Sequence, residues 1–328
     1  MATASATGRT LQVRVTKKRH EALDICSFEL QALDGAPLPA FSAGAHIDVH
    51  VKPGLIRQYS LCNNPQEKDR YLICVLRDPN TRGGSQAMHD AISEGQVIAI
   101  SEPRNLFHLI PGPHATLLLA GGIGITPLLA MAWHLFRQKA DFHLHYFTRS
   151  PERTAFLDMI GNAPIKQHIS FWFDSAPAGE RPAIPALLSA ASRESHIYTC
   201  GPAGFLKHVL STTEAQGWPA DRVHHEAFSA QPLKADAQSG AQFAVQIRSS
   251  GQTVQVLPGE TIVAALAKHG VDIPVSCEQG ICGTCLTGVL DGKPDHRDQY
   301  LTDEEHARCD RLTPCCSRSL SPLLVLDL

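Results

Sequence analysis

At 328 residues the chain is long enough for two or three domains, each with its own core. A net charge of −3 lacks the strongly basic balance that a nucleic-acid or anionic-membrane partner requires. Ten cysteines without the framework spacing of a disulfide scaffold indicate a reducing compartment, and the N-terminus has no apolar core segment to act as a secretory signal, so a cytoplasmic location is expected.

In chain order, residues 10–108 carry short β-rich runs at 11–15, 25–30, 46–51, 57–61, 71–76 and 97–100, separated by Pro and Gly clusters, with one helix over 85–92. That spacing predicts a small antiparallel barrel. From 114 the pattern changes: apolar runs at 116–120, 142–147, 168–173, 196–200 and 223–226 alternate with helical stretches at 126–138, 183–190 and 205–215. Alternating strand and helix predicts a parallel sheet covered on both faces. The apolar stretch 115–136 has the length of a membrane span, but Gly121-Gly122-Ile123-Gly124-Ile125-Thr126-Pro127 interrupts it, and a strand, a glycine loop and a helix account for it better. Residues 229–241 have linker composition. A hairpin about Ser250-Gly251, a helix over 261–269 stopping at Gly270, and a closing strand at 323–328 then predict a β-grasp module. The expected domains are therefore 1–110, 111–228 and 242–328, with 229–241 as the linker.

Cys277, Cys282, Cys285 and Cys315 follow Cys-x4-Cys-x2-Cys…Cys, the plant-type spacing that wraps a [2Fe–2S] cluster; a zinc site would usually show two Cys-x2-Cys pairs. Gly280 and Gly283 let the loop turn tightly and bring backbone N–H groups to the sulfurs. Upstream, Arg57-Gln58-Tyr59-Ser60 lies on a barrel strand, where an arginine beside an aromatic ring and a hydroxyl suits a flavin phosphate and its stacked ring. Arg82-Gly83-Gly84-Ser85 opens a helix and makes an anion site, with a simple capping loop as the alternative. The loop at Gly121, Gly122, Gly124 and Thr126 lets the backbone approach a pyrophosphate, although it is not Gly-x-Gly-x-x-Gly. No acidic residue closes the next strand, which ends at Thr148-Arg149-Ser150, so Arg149 is the candidate contact to the far end of the nucleotide. Cys200-Gly201-Pro202 ends another parallel strand, with Cys200 either packing at the sheet or lying on the path of a hydride. The densest histidines, His143 with His145 and His224 with His225, have no third ligand at a metal spacing and are expected to be structural.

Over essentially its whole length the chain resembles the phthalate dioxygenase reductase family, which includes vanillate demethylase reductases. The matching stretches are Arg57–Asn63, Arg82–Ser85, Ala120–Pro127, Cys200–Pro202, Cys277–Cys285 and Asp295-His296-Arg297-Asp298. The resemblance implies FMN as flavin, NADH as donor and a terminal Rieske-type oxygenase as acceptor. It implies that Phe228 approaches the flavin. It also makes Cys315 the fourth iron ligand, through its Cys-x-x-Arg context, and puts Cys316 where other members carry an apolar residue. Arg149-Ser150 departs from relatives that are acidic there, so NADH is expected to be preferred with measurable NADPH activity.

The implied function is the reductase component of a two-component oxygenase. The alternative is a redox sensor whose flavin and cluster report redox state without turnover. A self-contained hydroxylase is disfavoured, because the sequence shows neither a two-histidine, one-carboxylate iron pattern nor a Rieske Cys-x-His pair.

Overall fold

The computed structural model of the chain describes residues 10–53, 55–79, 83–177, 180–228, 241–275, 278–281, 283–298 and 300–328. The chain divides into two compact units, Met1–Phe228 and Ser229–Leu328. Among the described residues no helix is long and apolar enough to cross a membrane.

The first unit begins with strands β1 (Thr10–Ala22), β2 (Ile25–Ala32), β3 (Ala45–Lys52), β4 (Leu55–Ser60) and β5 (Tyr71–Leu76), then helix α1 (Gly84–Ala91), and strands β6 (Val97–Ser101) and β7 (Arg104–Asn105). They pair in the order β4-β3-β6-β1-β2-β5, with β7 on β3. An antiparallel bridge from Leu61 to Ile73 joins the two ends, which makes the sheet a barrel. Inward side chains at alternate positions fill it, among them Val13, Val15, Phe28, Leu30, Ile47, Val49 and Ile100. β1 runs well past the expected 11–15. Its charged second half, Lys17 to Glu21, carries no hydrophobic alternation, and pairing with β2 holds it extended through two register shifts.

The same unit continues with β8 (Thr116–Gly121), α2 (Ile125–Gln138), β9 (Phe142–Thr148), α3 (Leu157–Gly161), β10 (Ile169–Phe173), α4 (Ile184–Ala190), β11 (His196–Cys200), α5 (Ala203–Ala215) and β12 (Val223–Glu226). The strands lie in the order β10-β9-β8-β11-β12, all parallel. Central β8 is buried throughout, which is why its sequence is an unbroken apolar run. The chain winds from β8 to β9 and β10 on one side and to β11 and β12 on the other, so the switch point falls between the carboxyl ends of β8 and β11. The barrel packs on this sheet through a common apolar cluster that includes Cys62, Leu72 and Phe107 from the barrel with Ile125, Leu128 and Met131 of α2.

The second unit contains β13 (Phe243–Ile247), β14 (Thr253–Val256), α6 (Ile262–Ala267), β15 (Thr287–Asp291), β16 (Pro294–Asp295), α7 (Asp303–Arg308), β17 (Arg311–Leu312), β18 (Arg318–Ser319) and β19 (Leu323–Leu326). The closing strand β19 lies between β13 and β15, parallel to β13 and antiparallel to β15, which is the β-grasp arrangement. Thr261 caps α6 by accepting from the Ala264 N–H at 3.1 Å. Arg318 is buried across this unit, donating to the carbonyls of Glu260, Ala241 and Leu257 and stacking over Phe243 at 5.0 Å.

Candidate active site and metal centre

The two flavin-type motifs meet. Strand β4 places Arg57, Gln58, Tyr59 and Ser60 in sequence, and Gly84 opens α1 directly against the Arg57 side chain: a Cβ on residue 84 would stand 2.6 Å from Arg57 Cγ. The Arg57 guanidinium also donates to the Ile56 carbonyl at 2.7 Å. An arginine aligned with the first turn of a helix sets a positive charge beside the helix N-terminus, an arrangement that suits an anion. Ser85 accepts from the Asp78 N–H through its hydroxyl at 3.2 Å, so it anchors the preceding turn. Gln58 faces His46, with Nε2 atoms 3.2 Å apart, and burial pushes the His46 imidazole down to about 4, which keeps it neutral. Tyr59 packs against the barrel core, and burial pushes its phenol up. Arg82 lies outside the described residues.

At the switch point the backbone itself is the site. A Cβ on residue 124 would run into the Cys200 carbonyl and stand 2.6 Å from the Gly201 nitrogen. A Cβ on residue 121 would stand 2.9 Å from the Phe205 ring, and one on residue 201 would be 3.0 Å from the Gly121 Cα. The ends of β8 and β11 therefore approach with no side chain between them, which leaves their backbone open to a ligand at the carboxyl ends of the strands. Thr126 is buried and donates to the Ile123 carbonyl at 3.1 Å, closing the first turn of α2. Cys200 is wholly buried, and its thiol is pushed well up by burial and then by Glu226.

Glu226 itself is a functional-type residue that sequence reasoning passed over. It ends β12 in register with Cys200, and burial pushes its carboxyl up to about 8 against the pull of the Ser60 side chain. Its Oε2 has no hydrogen-bond partner. The barrel and the parallel sheet thus bring Ser60, Cys200 and a carboxyl that is protonated at neutral pH to one crevice. Phe228, two residues on, is 43% exposed. The only earlier signal was position: an acidic residue at the carboxyl end of an apolar parallel strand.

A second missed acid stands at the opposite edge of the parallel sheet. Arg149 is exposed at the end of β9, as expected. Next to it, the Asp174 N–H donates to the Thr148 carbonyl at 2.9 Å, which sets the Asp174 carboxylate at the neighbouring strand end, paired with Arg181. The Arg181 guanidinium lies over the Phe147 ring at 5.1 Å, and Phe147 packs on Phe205 at 5.6 Å. A shelf therefore runs from the glycine cradle to Asp174.

In the second unit, Cys285 and Cys315 are buried and their thiols meet. The Cys285 thiol pushes that of Cys315 up to about 12, while Cys316 and the Gly280 N–H pull the other way. Gly280 has φ 72°, and a Cβ there would stand 2.9 Å from the Asp298 backbone, so only glycine fits the turn. Convergent thiols with a backbone N–H aimed at one of them suit a thiolate-bound cluster. Cys277 and Cys282 lie outside the described residues.

Three of the four dense histidines, His143, His145 and His224, have ordinary partners. His143 meets Ser170 at 2.8 Å, His145 accepts from the Trp172 indole at 3.0 Å, and His196 meets His224 at 2.9 Å. Among the described residues one group of metal-ligand type, His296, Asp298 and His306, has its atoms within 4.8 Å of one another. Its two rings stack at 4.4 Å and 24°, so their lone pairs run side by side and do not converge on an ion.

Residues 245–320 match the family model of the 2Fe-2S iron-sulfur cluster binding domain. The chain is 49% identical over 318 residues to a vanillate O-demethylase oxidoreductase of Pseudomonas sp. strain HR199, covering 97% of this chain and 100% of that one. It is 39% identical to the phthalate dioxygenase reductase of Burkholderia cepacia, across 97% of each. A solved phthalate dioxygenase reductase, described as a modular structure for electron transfer from pyridine nucleotides to [2Fe–2S], superposes with a TM-score of 0.75 at 38% identity, covering 97% of this chain and 98% of that one. A flavin-type barrel, a parallel nucleotide sheet and a C-terminal iron–sulfur module define a class of electron-transfer oxidoreductase. Within that class, the chain belongs to the phthalate dioxygenase reductase family.

Proposed function

We propose that the chain is the NADH-dependent reductase component of a two-component Rieske-type oxygenase, taking electrons from NADH through FMN and a [2Fe–2S] cluster to the oxygenase. In this reading residues 1–110 hold FMN, 111–228 hold NADH and 242–328 hold the cluster. Arg57, Gln58, Tyr59 and Ser60 with Arg82, Gly83, Gly84 and Ser85 bind the flavin. Gly121, Gly122, Gly124 and Thr126 cradle the dinucleotide, and Arg149 meets its far end. Cys200 and Phe228 adjoin the reacting rings, and Cys277, Cys282, Cys285 and Cys315 hold the irons. The chemistry these groups supply when bound is the conversion of a hydride pair into single electrons.

The observation that carries the reading is the crevice where barrel and sheet bring Ser60, Cys200 and Glu226 together beside the glycine cradle. Arg57 and the start of α1 fix the charged end of one ligand, and the cradle fixes the other. Glu226 holds a proton at neutral pH and so adds no negative charge where a hydride is transferred. Donor choice follows from Asp174. Its carboxylate accepts a ribose hydroxyl and repels a phosphate, although Arg149 and Arg181 beside it soften the exclusion of NADPH.

Anaerobic mixing with NADH should bleach the flavin, and cytochrome c should be reduced catalytically. Reduction no faster than with cofactor-free protein would end the reductase reading. Failure to reduce a purified Rieske oxygenase, with cytochrome c activity intact, would end the assignment of the acceptor.

A further inference from the structure

The turn that carries Cys315 carries a second thiol. Cys315 and Cys316 face one another closely enough for their side chains to hydrogen-bond. Cys316 Sγ occupies the space that a Cβ on Gly280 would take, so it sits against the loop that wraps the cluster. Its other partners form a line. Thr313 Oγ1 is 3.2 Å from Cys316 Sγ and 3.1 Å from Ser317 Oγ, and Ser317 Oγ is 3.5 Å from Asp298 Oδ1.

The far end of that line is fixed. The Asp298 side chain is completely buried, and its Oδ2 accepts from the Tyr300 and Leu301 N–H groups at 3.2 and 2.8 Å. Ser317 donates to Asp298 Oδ1, so the hydroxyls of Ser317 and Thr313 are anchored beneath Cys316. Cys316 is therefore held between this polar line and the Gly280 turn.

We propose that Cys316 is a substitute fourth ligand of the cluster. When the bond from Cys315 to iron is absent, the sulfur of Cys316 forms it instead. The iron keeps its charge and its electrons; one sulfur–iron bond replaces another, and the thiol proton of Cys316 leaves to water. The inference rests on the cluster-binding reading of this unit. It separates Cys315, which has a neighbour able to replace it, from Cys285, whose sequence neighbours Thr284 and Leu286 offer no second thiol.

The test uses the intact protein, with iron and acid-labile sulfide measured per flavin alongside visible absorbance and the electron-spin signal of the reduced cluster. Cys315→Ala should retain more than about half of the wild-type iron, with a displaced spin signal because the new ligand approaches from a different angle. Cys316→Ala should keep the wild-type spectrum, and the double variant should fall to less than about a tenth of the iron. Cys315→Ala as iron-poor as the double variant, with its flavin still reduced by NADH, would overturn the substitution. Retention of the cluster by the double variant would overturn it as well, because another group would then be the substitute. A wild-type protein that takes up no [2Fe–2S] cluster would instead end the underlying cluster reading.

Discussion

The two units build their sites from opposite materials. In Met1–Phe228 the proposed dinucleotide cradle is backbone, made by the absence of side chains at Gly121, Gly124 and Gly201 where β8 and β11 approach. In Ser229–Leu328 the cradle is side chain, made by buried thiols such as Cys285 and Cys315 on loops. A thiol site is chemically unforgiving but announces itself by spacing. A backbone site tolerates almost any chemistry nearby, provided nothing occupies the gap, and only its glycines appear in the sequence.

The sharpest way to break that contrast is to remove a ligand without touching the other unit. Cys285→Ala should abolish the [2Fe–2S] absorbance altogether, because Cys285 is 3% exposed and, in the proposed reading, one of the ligands required. Flavin reduction by NADH should persist, since the two units have separate apolar cores. Loss of both signals, measured by absorbance after anaerobic addition of NADH, would show that the units do not function apart.

Filling the gap is the matching experiment on the other side. Gly124→Ala drives a methyl into the backbone of Cys200 and Gly201, which cannot swing away as a side chain does. The overpacking costs about 1–3 kcal/mol. The resulting displacement of the cradle should slow NADH-driven flavin bleaching by about 100-fold. Stopped-flow rates within a few-fold of wild type would mean that the pyrophosphate does not bind at the carboxyl ends of β8 and β11.

Much of this was legible beforehand, for reasons that differ by region. The cluster loop was readable because four thiols at fixed spacing have few other uses. The barrel and the parallel sheet were readable from the change of period near residue 114, but not the order of the strands. What stayed hidden depended on pairing across the fold. Glu226 matters because β12 sets it in register with Cys200, and Asp174 because β10 lies beside β9. The closing bridge from Leu61 to Ile73 is a single contact with no pattern of its own. Helix α7 is a different case: Thr302 and Glu305 form a capping box, so the signal was present in Thr302-Asp303-Glu304-Glu305 and went unread.

The hidden carboxyl makes the first unit sensitive to pH. Glu226 has a folded-state pKa raised from 4.5 to about 8, so the folded state holds the extra proton. Its effect is absent below about 4.5 and becomes a growing penalty as pH rises to about 8. Glu226→Gln removes the penalty, so its stability relative to wild type should grow by about 2–3 kcal/mol between pH 5.5 and 7.5. Thermal melts of wild type and variant that shift in parallel across that range would refute the raised pKa.

The hidden aspartate carries a smaller effect on the same unit. Asp174→Asn keeps the side-chain size but removes the charge beside Arg149 and Arg181. A hydrogen bond to a charged group is worth about 1.5–3 kcal/mol. The ratio of kcat/KM for NADH over NADPH should therefore fall by about tenfold or more, mostly through KM. An unchanged ratio in steady-state assays with cytochrome c would place the ribose elsewhere.

The smallest effect isolates backbone strain from crowding. Gly251 turns the β13–β14 hairpin at φ 69°, and a Cβ there would meet nothing within 4 Å. An alanine at this position is therefore penalised only for its left-handed backbone, about 1 kcal/mol, in contrast to the steric collision at residue 124. For a unit of this size that lowers the melting midpoint by about 4–8 °C, readable as loss of cluster absorbance on heating. Flavin reduction by NADH, which belongs to the other unit, should be unaltered. A larger fall in the midpoint would mean that the hairpin makes contacts beyond its own turn. A change in flavin reduction would mean that strain in one unit reaches the other, and the contrast between a backbone site and a thiol site would then describe materials only, with no independence of function behind it.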